Sequence, residues 1–165
     1  MTPPGGSRSR GLREAILRRL EDLPRQYAAL QTAMASFGDE FDREAFAAAF
    51  SGDDLEAYNR AQAIEQGLTT LQNYVVELAG AGAELAGLRG KARAEVRRDL
   101  ELLRDAGVIS ASLAQRLVGL QRVRIALQHA YVDLDPGELH GAVLDLHDAI
   151  PPFARALRDW IAPRL

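Results

Sequence analysis

The chain has 165 residues, of which 47% are hydrophobic and 26% charged; this suits one ordered domain with one core and excludes a disordered or membrane-embedded chain. A net charge of −3 excludes a uniformly basic nucleic-acid-binding surface and leaves room only for a local cationic patch. With no cysteine, disulfides, thiolate metal sites and cysteine nucleophiles are excluded, and the cytosol (a cytoplasmic, reducing location) is the expected compartment.

Alanine, leucine, arginine and glutamate dominate, aromatics are 6%, and runs of β-branched residues are nearly absent, so local propensity predicts an all-α fold. Residues 1–10 combine Pro3, Pro4, Gly5 and Gly6 with polar residues and are expected to form a flexible tail before a single helical domain over 11–165. No apolar run of signal-peptide length follows, because Arg13, Glu14, Arg18 and Arg19 interrupt it. A first helix is predicted from Gly11 to Phe37, with Leu12, Ile16, Leu20 and Leu23 on one face, a kink or break at Pro24, and a stop at Phe37-Gly38. A short acidic helix with Phe41, Phe46 and Phe50 comes next, and Ser51-Gly52-Asp53 supplies a stop and a new N-cap.

The clearest helix carries Ile64, Leu68, Leu71, Val75 and Leu78 in alternating steps of four and three, one apolar stripe. Gly80 to Gly90 reads as a connector. A further helix with Val96, Leu100 and Leu103 ends at Ala106-Gly107, and another begins near Ser110 or Ser112. In the latter, Leu113, Leu117, Leu120, Arg124, Leu127 and Tyr131 repeat the same spacing, so an arginine occupies a position that packing would give to leucine. A buried guanidinium needs an anion, a wet cleft or a route to solvent. Asp135-Pro136-Gly137-Glu138 has the form of an N-cap with proline in the first turn, and the last helix is expected to be interrupted at Pro151-Pro152. Long helices with short links imply an antiparallel bundle of four or five helices.

The chemistry-bearing candidates are few. His129 lies five residues after Arg124, and Tyr131 two further on. On an ideal helix a five-residue step is about 500°, so Arg124 and His129 point roughly 140° apart, whereas Tyr131 returns to within about 20° of Arg124. Convergence therefore requires a distorted helix end or a second copy of the helix across a two-fold axis. Such a pair suits metal-independent RNA cleavage, in which histidine takes the proton of a ribose 2′-hydroxyl and arginine stabilises charge on the phosphate; neither role needs a cofactor or a metal. The plainer reading makes His129 a polar helix end and Arg124 an interhelical ion-pair partner of Glu65. His140 and His147 share a face with Asp145 and Asp148 nearby, a spacing short of a metal set and suited to a solvated face. Asp135 reads as a cap, beside Asp133, whose carboxylate invites a general-base role. Arg89, Lys91, Arg93, Arg97, Arg98 and Arg104 form either a basic surface or the solvated faces of amphipathic helices.

The stretch VISASLAQRLVGLQRVRIALQHAYVDLD, Val108 to Asp135, resembles the HepT branch of the HEPN superfamily, whose signature of arginine, four residues, histidine, one residue and tyrosine is matched by Arg124, His129 and Tyr131. The surrounding pattern is similar from about Asp53 to Ile161, including Glu65 at a family-like acidic position on the long earlier helix. Where relatives carry asparagine after the arginine this chain has Ile125, and Thr69 stands where a second acidic residue is often found. The resemblance implies a HEPN-like domain, acting as a homodimeric, metal-independent endoribonuclease: the toxin of a type VII toxin–antitoxin pair, with Arg124 and His129 of both chains in one composite site on RNA. It also implies an MntA-like nucleotidyltransferase antitoxin that transfers AMP to Tyr131. The alternative is a non-catalytic HEPN protein that binds a nucleotidyltransferase or RNA.

Overall fold

The computed structural model describes residues 4–129 and 134–164. Over these residues the chain is all-helical, as its composition predicts. Its helices are α1 (Pro4–Ala35), α2 (Arg43–Ser51), α3 (Leu55–Leu85), α4 (Val96–Asp105), α5 (Ala111–Gly119), α6 (Gln121–Gln128) and α7 (Pro136–Ile161), followed by a 3₁₀ turn over Ala162–Arg164. Among the described residues no helix is long and apolar enough to cross a membrane.

Three long helices make the frame. Pairings along α1 and α3 run in opposite order, Arg8 with Glu84, Asp22 with Tyr74 and Leu30 beside Gly67, so these helices are antiparallel. The α1 to α7 pairings, Leu20 with Arg158 and Tyr27 with His147, are likewise reversed. Hence α3 and α7 run parallel to each other. The predicted stripe of α3 is fully buried and meets Ile16, Leu20, Leu23 and Leu30 of α1 and Val143, Ile150, Phe153 and Leu157 of α7. The shorter α2 packs on α3 and α7, α4 on α3, α5 on α4 and α7, and α6 on α3 and α5.

Helix starts follow side-chain chemistry. Asp42, Asp54, Ser110 and Asp135 each accept a backbone N–H from the first turn of α2, α3, α5 and α7, pairing donors that a helix leaves open. The cap of α3 is Asp54, one residue beyond the expected Asp53. At the other end of α4, Gly107 adopts φ +74°, a left-handed C-terminal stop that costs glycine least. Helix α1 is already formed at Pro4 rather than at Gly11. Its first turns are tied down by polar contacts instead of by the core: Arg8 reaches Glu84, and Arg13 reaches the Ser9 and Arg164 carbonyls.

The prolines interrupt neither long helix: α1 runs through Pro24, and α7 through Pro151 and Pro152. A helical proline has no N–H for the carbonyl four residues earlier. Pro24 thereby frees the Leu20 carbonyl, which accepts Arg158 Nη2 from α7 at 3.0 Å. Pro151 frees the His147 carbonyl, which accepts the Tyr27 hydroxyl from α1 at 3.1 Å. Burial, then the nearby Asp148 carboxylate, pushes the Tyr27 phenol above its ordinary value, which keeps it a donor. Each helix thus supplies a donor for one carbonyl that a proline of the other leaves open.

The expected connector Gly80 to Gly90 is mostly helix, because α3 continues to Leu85. Gly80 is there for close approach. Arg89 folds back onto the Gly80 carbonyl and pairs with Asp99 at 3.0 Å, and a Cβ at residue 80 would lie 3.3 Å from the guanidinium. This pairing keeps Asp99 buried at 1% exposure, where an unpaired carboxylate would be strongly destabilising.

Arg158→Ala should lower stability by about 1–2 kcal/mol, and Pro24→Ala, which returns an N–H to the Leu20 carbonyl, should make that loss smaller. Urea unfolding of the two single variants and the double variant measures the coupling; strictly additive effects would show that the Leu20 carbonyl is not the shared partner.

Candidate functional site

The arginine in the apolar stripe sits on a short helix. The single helix expected from Ser110 to Tyr131 is divided at Leu120, with Leu113, Leu117 and Leu120 buried before and at the break. Helix α6 begins where Gln72 of α3 donates to the Leu120 carbonyl, and it packs on α3 and α5.

Arg124 is half-buried, and its Nε donates to Asn73 Oδ1 of α3 at 3.4 Å. Its expected partner Glu65 does not pair with it: no ion pair joins the two, although both are described. Glu65, Thr69 and Asn73, spaced four apart, form a half-buried polar strip along α3. Burial raises the Glu65 carboxyl above its ordinary value, and a hydrogen bond from Gln62 offsets part of that.

His129 ends α6. Its N–H still bonds to the Ile125 carbonyl at 3.1 Å, but its own backbone is extended, φ −105° and ψ 97°, and the residue is exposed. The helical 140° separation from Arg124 thus no longer applies at the histidine, since the helix stops one residue before it. This distortion comes earlier than the expected break near Asp133 to Gly137. Between the two residues Ile125 stands 53% exposed on the outer face of α6. Arg122 of α6 pairs with Glu138 of α7 at 2.7 Å. Tyr131 and Asp133 lie outside the described residues. No family model, curated protein or solved structure matches the chain.

The remaining candidates have structural partners. His140 is buried, not on a solvated face: its Nε2 lies 2.7 Å from the Phe41 carbonyl, and its ring stacks on Phe41 at 4.4 Å between centroids. Phe41 has φ +53°, a left-handed conformation unfavourable for a bulky residue, and His140 is among the contacts that hold it. His147 stacks on Tyr27 and contacts Gln31 and Asp148. Among the described residues no group of three or more histidine, aspartate or glutamate side chains is placed to hold a metal. Asp135 caps α7 as expected, accepting the Glu138 N–H. In the basic group, Arg89 is internal and Arg97 and Arg104 pair with Glu101 and Asp105, while Lys91, Arg93 and Arg98 are exposed.

Two residues around Arg124 escape motif reading. Gln72 and Asn73, consecutive on α3, contact Leu120 and Arg124 respectively. A signal for the first is present in the sequence: Gln72 falls four residues after Leu68 and three before Val75, an amide on the apolar stripe, just as Arg124 is a cation on its own.

Because the folded state raises the Glu65 pKa, ionising this group weakens the fold as pH rises from the ordinary carboxylate range through the raised value. Glu65→Gln should therefore raise the melting temperature at pH 7, with the gain vanishing below about pH 4. Melting curves at both pH values decide it, and an unchanged midpoint at pH 7 would mean that Glu65 is ionised without cost.

Proposed function

We propose that the chain is a ribonuclease of the HepT kind, a HEPN-type toxin whose site is formed by Arg124 and His129 from two copies. One observation carries the reading: a half-buried arginine is steadied by a neutral amide, five residues before a histidine exposed on extended backbone. A guanidinium held this way keeps its charge for a phosphate. A histidine can remove the 2′-hydroxyl proton of the ribose beside that phosphate. The 2′-oxygen then attacks phosphorus and displaces the 5′-oxygen of the next nucleotide, while arginine offsets charge on the non-bridging oxygens.

Pairing of two α6 faces would bring a second arginine and histidine to the same phosphate and cover Ile125. The exposed Ile125 also favours the second reading, a HEPN protein that binds a nucleotidyltransferase or RNA without cutting it, since an apolar side chain between the two polar groups serves contact better than catalysis. Under the first reading, an MntA-like nucleotidyltransferase antitoxin would silence the toxin by transferring AMP from ATP to the Tyr131 hydroxyl, with pyrophosphate leaving. The added bulk and negative charge would oppose RNA at the same cleft.

Expression of the chain should degrade cellular RNA and arrest growth, and Arg124→Ala or His129→Ala should reduce cleavage by roughly 10²–10⁴-fold. Equal cleavage by all three proteins removes the catalytic assignment, and binding without cleavage by the wild type selects the second reading. Incubation with the nucleotidyltransferase and ATP should add one AMP to the intact mass. The addition should be absent from Tyr131→Phe, and its persistence there would move the modification to another residue.

A further inference from the structure

Among the described residues three polar or charged side chains are buried: Gln72, Asp99 and His140. Asp99 has Arg89, and His140 has the Phe41 carbonyl. Gln72 is less well matched. It is 1% exposed, its Nε2 donates to the Leu120 carbonyl at 3.1 Å, and its Oε1 has no partner. An amide with an unmatched oxygen in an apolar core is less favourable than a methionine of similar shape. Packing gives no reason for glutamine at this position.

The bond it makes does. The Leu120 carbonyl that Gln72 holds also accepts the backbone N–H of Arg124, at 3.2 Å. The next residue of α3, Asn73, accepts from the other end of the same arginine, at Nε. Neighbouring helical residues point about 100° apart, which sets Gln72 in the core and Asn73 at its half-buried edge. One fixes the start of α6, the other the direction of the guanidinium. At 3.4 Å the Asn73 contact is long, so it steers a side chain whose backbone Gln72 has already located.

We infer that Gln72 and Asn73 are positioning residues that aim the Arg124 guanidinium at an anion, a phosphate group in the ribonuclease reading on which this inference rests. The amide at residue 73 is the chemical point. A carboxylate would hold the guanidinium at least as firmly but would neutralise it. Asparagine orients the group through Nε and leaves its charge, together with the Nη1 and Nη2 edge, for a two-pronged contact with phosphate oxygens.

The test uses the full chain and the variants Asn73→Asp, Asn73→Ala, Gln72→Met and Arg124→Ala. Four quantities are measured: the melting temperature, the Arg124 Nε–H resonance in ¹⁵N-labelled protein, affinity for a 2′-O-methyl RNA oligonucleotide, and cleavage of its ribose form. The resonance is assigned by its loss in Arg124→Ala. Asn73→Asp should melt no lower than the wild type, yet bind the oligonucleotide about tenfold or more weakly and cleave correspondingly slowly. Asn73→Ala and Gln72→Met should shift the resonance toward that of solvent-exposed arginines. A purely structural role for Asn73 predicts wild-type binding and cleavage in Asn73→Asp, where the contact survives, and that result overturns the inference. So does a resonance unmoved in both Asn73→Ala and Gln72→Met. If the wild type neither binds nor cuts RNA, the ribonuclease reading fails, while the resonance still decides whether α3 positions Arg124. Asn73 lies at the edge of the core, so its variants keep the test valid even if Gln72→Met does not fold.

Discussion

A proline inside a helix leaves one carbonyl without its donor, and in this bundle two such carbonyls face each other's helices. Leu20, orphaned by Pro24, takes Arg158, and His147, orphaned by Pro151, takes Tyr27. The two bonds lie at separate heights along the antiparallel α1 and α7. Both helices can then run unbroken past α3 despite residues that would ordinarily end them. With α1 and α7 continuous, the apolar stripe of α3 from Ile64 to Leu78 is enclosed, and α6 packs on the same helix.

The same requirement, that a buried polar group find a partner, recurs where α6 meets α3. Leu120 stands at the break between two helices, and its carbonyl serves both Arg124 and Gln72. The candidate site is thus tied to α3 through a few hydrogen bonds and to the core through Val123, which is buried, and Leu127, which is partly buried. Such an arrangement holds the guanidinium at Nε and leaves His129 exposed. It suits a site completed by something outside the chain, whether nucleic acid, a second copy or a modifying enzyme.

Much of the fold was legible because it is local. The α3 stripe from Ile64 to Leu78, the Asp135 cap and the stop at Gly107 all follow from residues within a few positions of one another. The departures depend on distant partners. Whether Pro24 breaks a helix depends on Arg158, 134 positions away in the chain. Gly80 looks like a linker residue until Arg89 and Asp99 fold over it. The break at Leu120 involves a glutamine 48 residues earlier. Arg124 could be singled out from its place in an apolar stripe, but its neighbour Asn73 could not, because no periodicity marks a residue at the edge of a helix face. His140 departs from the expected solvated face for a similar reason: its burial follows from Phe41, in a turn whose left-handed backbone the sequence does not announce.

The proposed chemistry requires a ribose 2′-hydroxyl as the internal nucleophile, a histidine to take its proton, and a charged arginine at the phosphate, with no metal in the step. The most direct measurement is cleavage of matched synthetic oligonucleotides by the purified protein in excess EDTA, one all-ribose and one all-2′-deoxy. The account predicts that the ribose strand is cut, leaving a 2′,3′-cyclic phosphate on the upstream product, and that the deoxy strand stays intact. An intact ribose strand, or equal cutting of both, would contradict it.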